Sequence, residues 1–158
     1  MIPSPRRATL YLRLFGWKYV KMIFWLRPTV IEISENHLVV KIPLNRRTRN
    51  HVHSLYLGAM TVGAELAGAG LVEYLKLDID KKIIVLFKDV ASVYFKRAEG
   101  DTHFTCLDGY KIKEAIIQTS RTGERITIPV KVIATVPDKL GDESVAEMTL
   151  GLSIKKKD

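Results

Sequence analysis

The spacing of apolar and polar residues changes several times along the chain, and each change marks an element. Residues 8–26 are strongly apolar but interrupted by Arg13, Lys18 and Lys21. On a helical wheel these three basic residues fall on one side, and Leu10, Leu14, Trp17, Met22 and Trp25 cover much of the rest. A transmembrane span needs about 20 predominantly apolar residues with few charges, so the stretch reads as a helix packed on the domain. An interfacial helix with basic flanks and Trp anchors is the alternative, and peripheral membrane contact is not favoured. A signal peptide is disfavoured as well, because the apolar run is broken and Arg27-Pro28 follows it.

Pro28 ends this helix. Residues 29–34 alternate as a strand, Glu35-Asn36 make a tight turn, and 37–44 return as the second strand of a hairpin. A polar loop, 45–53, leads into a long helical pattern that begins near Ser54 and runs to about Leu77, roughly 35 Å. The longest β-type run, 83–95, carries Lys88-Asp89 as a bulge or bend. A strand at 102–107 follows. Ile112, Ala115, Ile116 and Thr119 then restore helical spacing over 110–122, with Gly123 as the stop. Strands at 125–136 and 144–154 are joined through Pro137 and Gly141. Helix, two strands, long helix, two strands, short helix, two strands is an α+β order: a largely antiparallel sheet with one long helix packed on it.

The long helix contains Gly58, Gly63, Gly68 and Gly70. Glycine costs roughly 1 kcal/mol relative to alanine in a helix interior, so these four imply close approach, of another backbone or of a ligand. Gly58, Thr61, Glu65, Ala69 and Val72 share one stripe. A carboxylate is thus set among small side chains on an apolar helix.

At 158 residues the chain is of single-domain size. Its one cysteine, Cys106, excludes an intramolecular disulfide, fits a reducing, cytoplasmic setting and reads as a core residue. The net charge of +8 favours an anionic partner such as nucleic acid, a phosphorylated cofactor or a membrane surface. Nucleic acid is disfavoured, because the basic loop carries no recognised motif and no interleaved aromatics. His51 and His53 would point the same way on extended backbone, but no further ligands stand at suitable spacing, so no metal is expected.

The element order, with Asn50-His51-Val52-His53-Ser54 leading into the Gly/Ala-rich helix that holds Glu65, resembles the hotdog fold. More narrowly it resembles the acyl-CoA thioesterases of the phenylacetate-pathway type. It is most similar to an uncharacterised hotdog family with an RRTRNH…GAM…AE signature, present here as Arg46-Arg47-Thr48-Arg49-Asn50-His51, Gly58-Ala59-Met60 and Ala64-Glu65. Tyr94-Phe-Lys-Arg-Ala-Glu-Gly100 is similar to a hotdog strand ending that reads aromatic-x-x-Pro-Ala-x-x-Gly. The resemblance implies a hotdog domain over 29–158, its antiparallel sheet wrapped around the long helix, with 1–28 as an extra N-terminal helical extension. It also implies sites between subunits, hence a homodimer or a dimer of dimers.

In thioesterases of this type a loop Asn is followed by His-Gly-Gly at the helix start and then by Asp or Glu along the helix. Asn50 and Glu65 stand at the Asn and carboxylate positions. Tyr56-Leu57-Gly58 replaces His-Gly-Gly and keeps only its last glycine. The implied activity is hydrolysis of an acyl-CoA or related acyl thioester, with Glu65 as base or nucleophile. The helix N-terminus at Gly58, together with Asn50, would polarise the carbonyl. Arg46, Arg47 and Arg49 suit the phosphates of coenzyme A, and His53 and Tyr56 would line the substrate site. Coenzyme A enters as part of the substrate, and no cofactor is expected. Other readings of the same residues stay open. Glu65 can pair with an Arg or backbone donor at a subunit interface, Asn50 can be a turn or pre-helix capping residue, and the arginines can be a solvated loop. The missing His-Gly-Gly favours a protein that binds acyl-CoA or a fatty-acyl chain without turning it over.

Overall fold

Alternating apolar residues build six antiparallel strands in a computed structural model that describes residues 2–157. These are β1 (Thr29–Ile33), β2 (Leu38–Ile42), β3 (Ile83–Tyr94), β4 (Thr102–Cys106), β5 (Ile126–Thr135) and β6 (Ser144–Lys156). They form one sheet in the order β1-β2-β4-β5-β6-β3. The helix α3 (Leu57–Leu75) is apolar on nearly every side and packs against β2, β4, β5 and β6. Its Ala64, Ala67 and Leu71 lie in one cluster with Val40, Phe104, Val132 and Leu150 of the sheet. The helix α4 (Gly109–Thr122) adds Ile112 and Ile116 to that core. This is the hotdog fold: a sheet wrapped around a long central helix.

Three of the four helical glycines serve this packing, whereas Gly58 lies against the Tyr56 ring. A Cβ on Gly63 would stand 2.3 Å from the Phe104 ring, one on Gly68 2.8 Å from a Leu150 methyl, and one on Gly70 2.9 Å from a Leu38 methyl. In these three the close approach is by side chains of the sheet rather than by another backbone. The register between β3 and β6 shifts between Phe87 and Asp89, where Lys88-Asp89 suggested a bulge.

Three local expectations change. The helix anticipated at 8–26 is two, α1 (Pro5–Lys18) and α2 (Lys21–Leu26), because the chain doubles back at Tyr19-Val20. Gly16 permits this, since a Cβ there would be 2.7 Å from the Phe24 nitrogen. The pair packs on the domain through Ala8, Leu12, Ile23 and Leu26, so Leu10, Leu14, Trp17, Met22 and Trp25 stay exposed. The central helix starts at Leu57 rather than near Ser54, which is held in a loop. A short helix, α5 (Pro137–Leu140), fills the connection expected between the last two strands.

The two sheet edges differ. At β1 the Val30 amide donates to Thr9 Oγ1 at 2.9 Å, and Arg13 donates to Pro28 O and Thr29 Oγ1, both at 3.0 Å. The helix α1 thus covers that edge. At the other end β3 pairs, among the described residues, with β6 alone, and Leu86, Phe87, Val90, Val93 and Tyr94 are exposed along it. Among the described residues, no helix is long and apolar enough to cross a membrane.

Candidate functional site

The loop before α3 is held by its own polar side chains. Thr48, almost wholly buried, donates its hydroxyl to Pro43 O at 2.6 Å and accepts the Asn45 amide at 2.9 Å. Asn50 organises the next turn: its Oδ1 accepts the amides of Val52 (3.0 Å) and Ser54 (3.1 Å), and its Nδ2 donates to Ser54 Oγ (3.1 Å). The Asn50 amide donates to Ser54 O at 2.8 Å. This is the turn role open to an asparagine, and it leaves one Nδ2 hydrogen uncommitted. The Leu55 amide then donates to Ala98 O at 2.8 Å, tying the loop to the segment after β3.

A depression of about 230 Å³ opens at this junction, lined by Asn50, Ser54, Leu57, Met60, Tyr94 and Arg97 among others. Here α3 begins, with Met60 N–H closing the first helical hydrogen bond onto Tyr56 O. No side chain caps the helix, so the first-turn amides carry the positive end of the helix dipole outward. The Tyr56 ring lies against Gly58, with a Cβ there only 2.7 Å from Tyr56 Cε1. The ring occupies part of the space that the glycine leaves beside the amides.

Glu65 lies elsewhere. Seven residues along α3, or about 10 Å, it faces a second cleft of about 370 Å³ between α3, β3 and the N-terminal helices, walled by Tyr11, Phe15, Val20, Ile23, Leu66 and Phe87 among others. Glu65 is half-buried and, among the described residues, no hydrogen bond or ion pair holds its carboxylate. Burial alone pushes its pKa up. Glu73 shares the cleft but is engaged by Lys76 Nζ at 2.8 Å.

The arginines and histidines singled out in the loop 45–53 lie at the surface. Arg46, Arg49, His51 and His53 are exposed. Arg47 stacks its guanidinium 4.7 Å from the Trp25 ring centroid. His53 has φ 61° and lies in a turn, not on the extended backbone that would align it with His51. Among the described residues no group of three or more His, Cys, Asp or Glu side chains could hold a metal ion. Cys106 is buried, and burial lifts its thiol to about 11. The structure adds Tyr94, Met60 and Arg97 at one depression, and Tyr11, Phe15 and Val20 at the other. No local pattern marks these; they meet the site only because β3 and the α1–α2 turn bring them there.

Comparison with known proteins bears on the fold. The family described as "Domain of unknown function (DUF4442)" matches residues 14–154. No curated protein matches the sequence. A Chlorobaculum tepidum protein of unknown function superposes with a TM-score of 0.82 at 13% identity, over 97% of both chains. A Pseudomonas aeruginosa protein described as a "probable thioesterase" gives 0.74 at 19% identity over 99% of each. A Haemophilus influenzae thioesterase gives 0.65 at 12% identity, over 90% of this chain and 88% of that one. At such identities the likeness establishes the fold alone.

Proposed function

Since the chain belongs to the DUF4442 family and folds as a hotdog domain, we propose that it hydrolyses an acyl thioester, an acyl-CoA being the first substrate to try. The observation that carries this reading is the Glu65 carboxylate, half-buried in an apolar cleft with no partner among the described residues. A structural ion pair would not leave it so. A water-activating base needs a raised pKa and a free lone pair. Two of the structural neighbours being named as thioesterases supports the same class.

Glu65 takes a proton from water as the water oxygen attacks the thioester carbonyl, and the oxyanion forms beside amide donors. The carbonyl re-forms as the carbon–sulfur bond breaks, and the leaving thiolate takes the proton from the Glu65 carboxyl, restoring its carboxylate. The donors are the first-turn amides of α3 and the spare Nδ2 hydrogen of Asn50, at the depression some 10 Å from Glu65 of the same chain. That separation favours a site shared by two chains, the loop and helix start of one facing Glu65 of the other. The open apolar edge of β3 is suited to joining them, and we take the assembly to be a homodimer or a dimer of dimers. Tyr56, beside Gly58, would touch the acyl group. Arg46, Arg49 and His53 would reach the phosphates of coenzyme A from solvent, with Arg47 held back on Trp25. Buried, unpaired Cys106 suits a reducing, cytoplasmic setting.

A thiol-release assay across short, long and aromatic acyl-CoAs tests the proposal, with Glu65→Gln alongside. The variant should stay folded and lose about a hundredfold or more in kcat/KM. An unchanged rate in folded Glu65→Gln removes its assigned role. The second reading, an acyl-CoA or fatty-acyl binder, is favoured by the Tyr56 ring over Gly58 and by the commitment of Asn50 Oδ1 to its turn. No turnover, with acyl-CoA still raising the melting temperature, selects it.

A further inference from the structure

The outer face of α1 and α2 has no part in that reaction. Leu10, Leu14, Trp17 and Phe24, with Arg13, line a shallow groove of about 420 Å³ there, and Met22 and Trp25 are exposed on the short helix α2 that carries Phe24. Each of the six apolar side chains is between 44% and 60% exposed. Charge is as uneven as hydrophobicity. Residues 2–31 contain six Arg and Lys and not one Asp or Glu. Arg13 is tied to the β1 edge, whereas Arg6, Arg7, Lys18, Lys21 and Arg27 are exposed.

Cations also sit on the aromatic rings of this face. Lys21 Nζ is 5.2 Å from the Trp17 ring centroid, and Arg47 is 4.7 Å from that of Trp25. We infer that the α1–α2 pair is a docking face for an anionic phospholipid bilayer, lying in the interface with Leu10, Leu14, Trp17 and Phe24 inward. Such a surface supplies both an apolar boundary for these side chains and phosphates for the surrounding cations. A second copy of the chain suits the face poorly. A two-fold contact would set the same patch against itself, cation against cation. The hydrogen bonds between α1 and β1 hold the face at a fixed angle on the domain. On their inner side the same helices wall the cleft that contains Glu65, so docking would bring that cleft close to the lipid. Docking itself does not depend on the thioesterase reading.

The test uses the full chain with vesicles of phosphatidylcholine alone, or with roughly a third phosphatidylglycerol, an anionic lipid. Trp17 and Trp25 are its two tryptophans, so indole emission reports on this face. The expected result is co-sedimentation with the anionic vesicles only, a blue shift of the emission, and weakening with salt. Leu10→Ser with Leu14→Ser should lower the partition coefficient by about tenfold or more. Arg6→Gln with Arg7→Gln should lower it by roughly tenfold. These side chains are exposed and two arginines leave a helix N-terminus, so unfolding curves should not shift downward and misfolding is separated from lost docking. No sedimentation with anionic vesicles overturns the proposal, as does equal binding to neutral ones. A Leu14-dependent dimer in sedimentation velocity, without vesicle binding, overturns it in favour of a second copy.

Discussion

At the scale of single residues, Glu65 links stability to chemistry. Burial raises its pKa in the folded state above the unfolded value. The stability contributed by its neutral form is therefore full below the ordinary glutamate range and lost as pH rises through the elevated folded pKa. Glu65→Gln avoids that loss, so it should melt at a higher temperature than the parent near neutral pH, with the gap closing at about pH 4 and below. Scanning calorimetry across pH checks this, and a destabilised variant at neutral pH would show that the carboxylate has a partner after all. If Glu65 is the base, activity should also rise through a pKa above the usual glutamate value. Gly63 makes a separate point. Its missing Cβ is the space that the buried Phe104 ring fills, so Gly63→Ala should cost about 1–3 kcal/mol in urea unfolding. Gly70→Ala, opposed only by a flexible Leu38 methyl, should cost less.

At the scale of elements, the two ends of β3 have different jobs. Its start is clamped: beside it, Asp80 accepts from Lys156 Nζ and Ser120 Oγ, both at 2.8 Å, and from the Lys82 amide at 3.0 Å. The hydrogen bond from Lys156, with the others, brings the Asp80 carboxyl down to about 2. What this clamp contributes is present above the usual aspartate pKa and lost as pH falls through about 2. Carboxyl-carbon NMR should find that low value, and Lys156→Met should move it back up. Further along, β3 exposes Val90 and Val93 on an unpaired edge. For the dimer proposed along this edge, placing a charge there, as in Val93→Lys, should weaken association by about tenfold or more in sedimentation equilibrium, with the circular dichroism of the chain unchanged. An unaffected assembly would send the search for the subunit contact elsewhere.

At the scale of the molecule, the sheet has one covered edge and one open edge, and the N-terminal helices have one face on the domain and one toward solvent. Much of this architecture is legible in the chain. Period-two and helical spacings give the element order, because each strand or helix must bury one face to offset its lost backbone entropy. The β3 bulge, the Gly123 stop and the burial of Cys106 follow from such local rules. The turn at Tyr19-Val20 does not, since neither residue breaks a helix and its cause is packing of α2 onto Gly16. For the same reason Leu10, Leu14 and Trp17, apolar enough to suggest a buried face, lie outside. The site divides likewise. Glu65 stands out in sequence as a carboxylate on an apolar helix, and Asn50 as a polar residue before it. Their separation in one chain, the commitment of Asn50 to its turn and the walls supplied by Tyr11, Phe15 and Tyr94 depend on contacts between residues distant in sequence. Which segments become helix or strand is already written in the order of residues, because that depends on neighbours a few positions apart. Only the tertiary structure decided which faces meet and which side chains surround Glu65, because those contacts are set by how the elements pack.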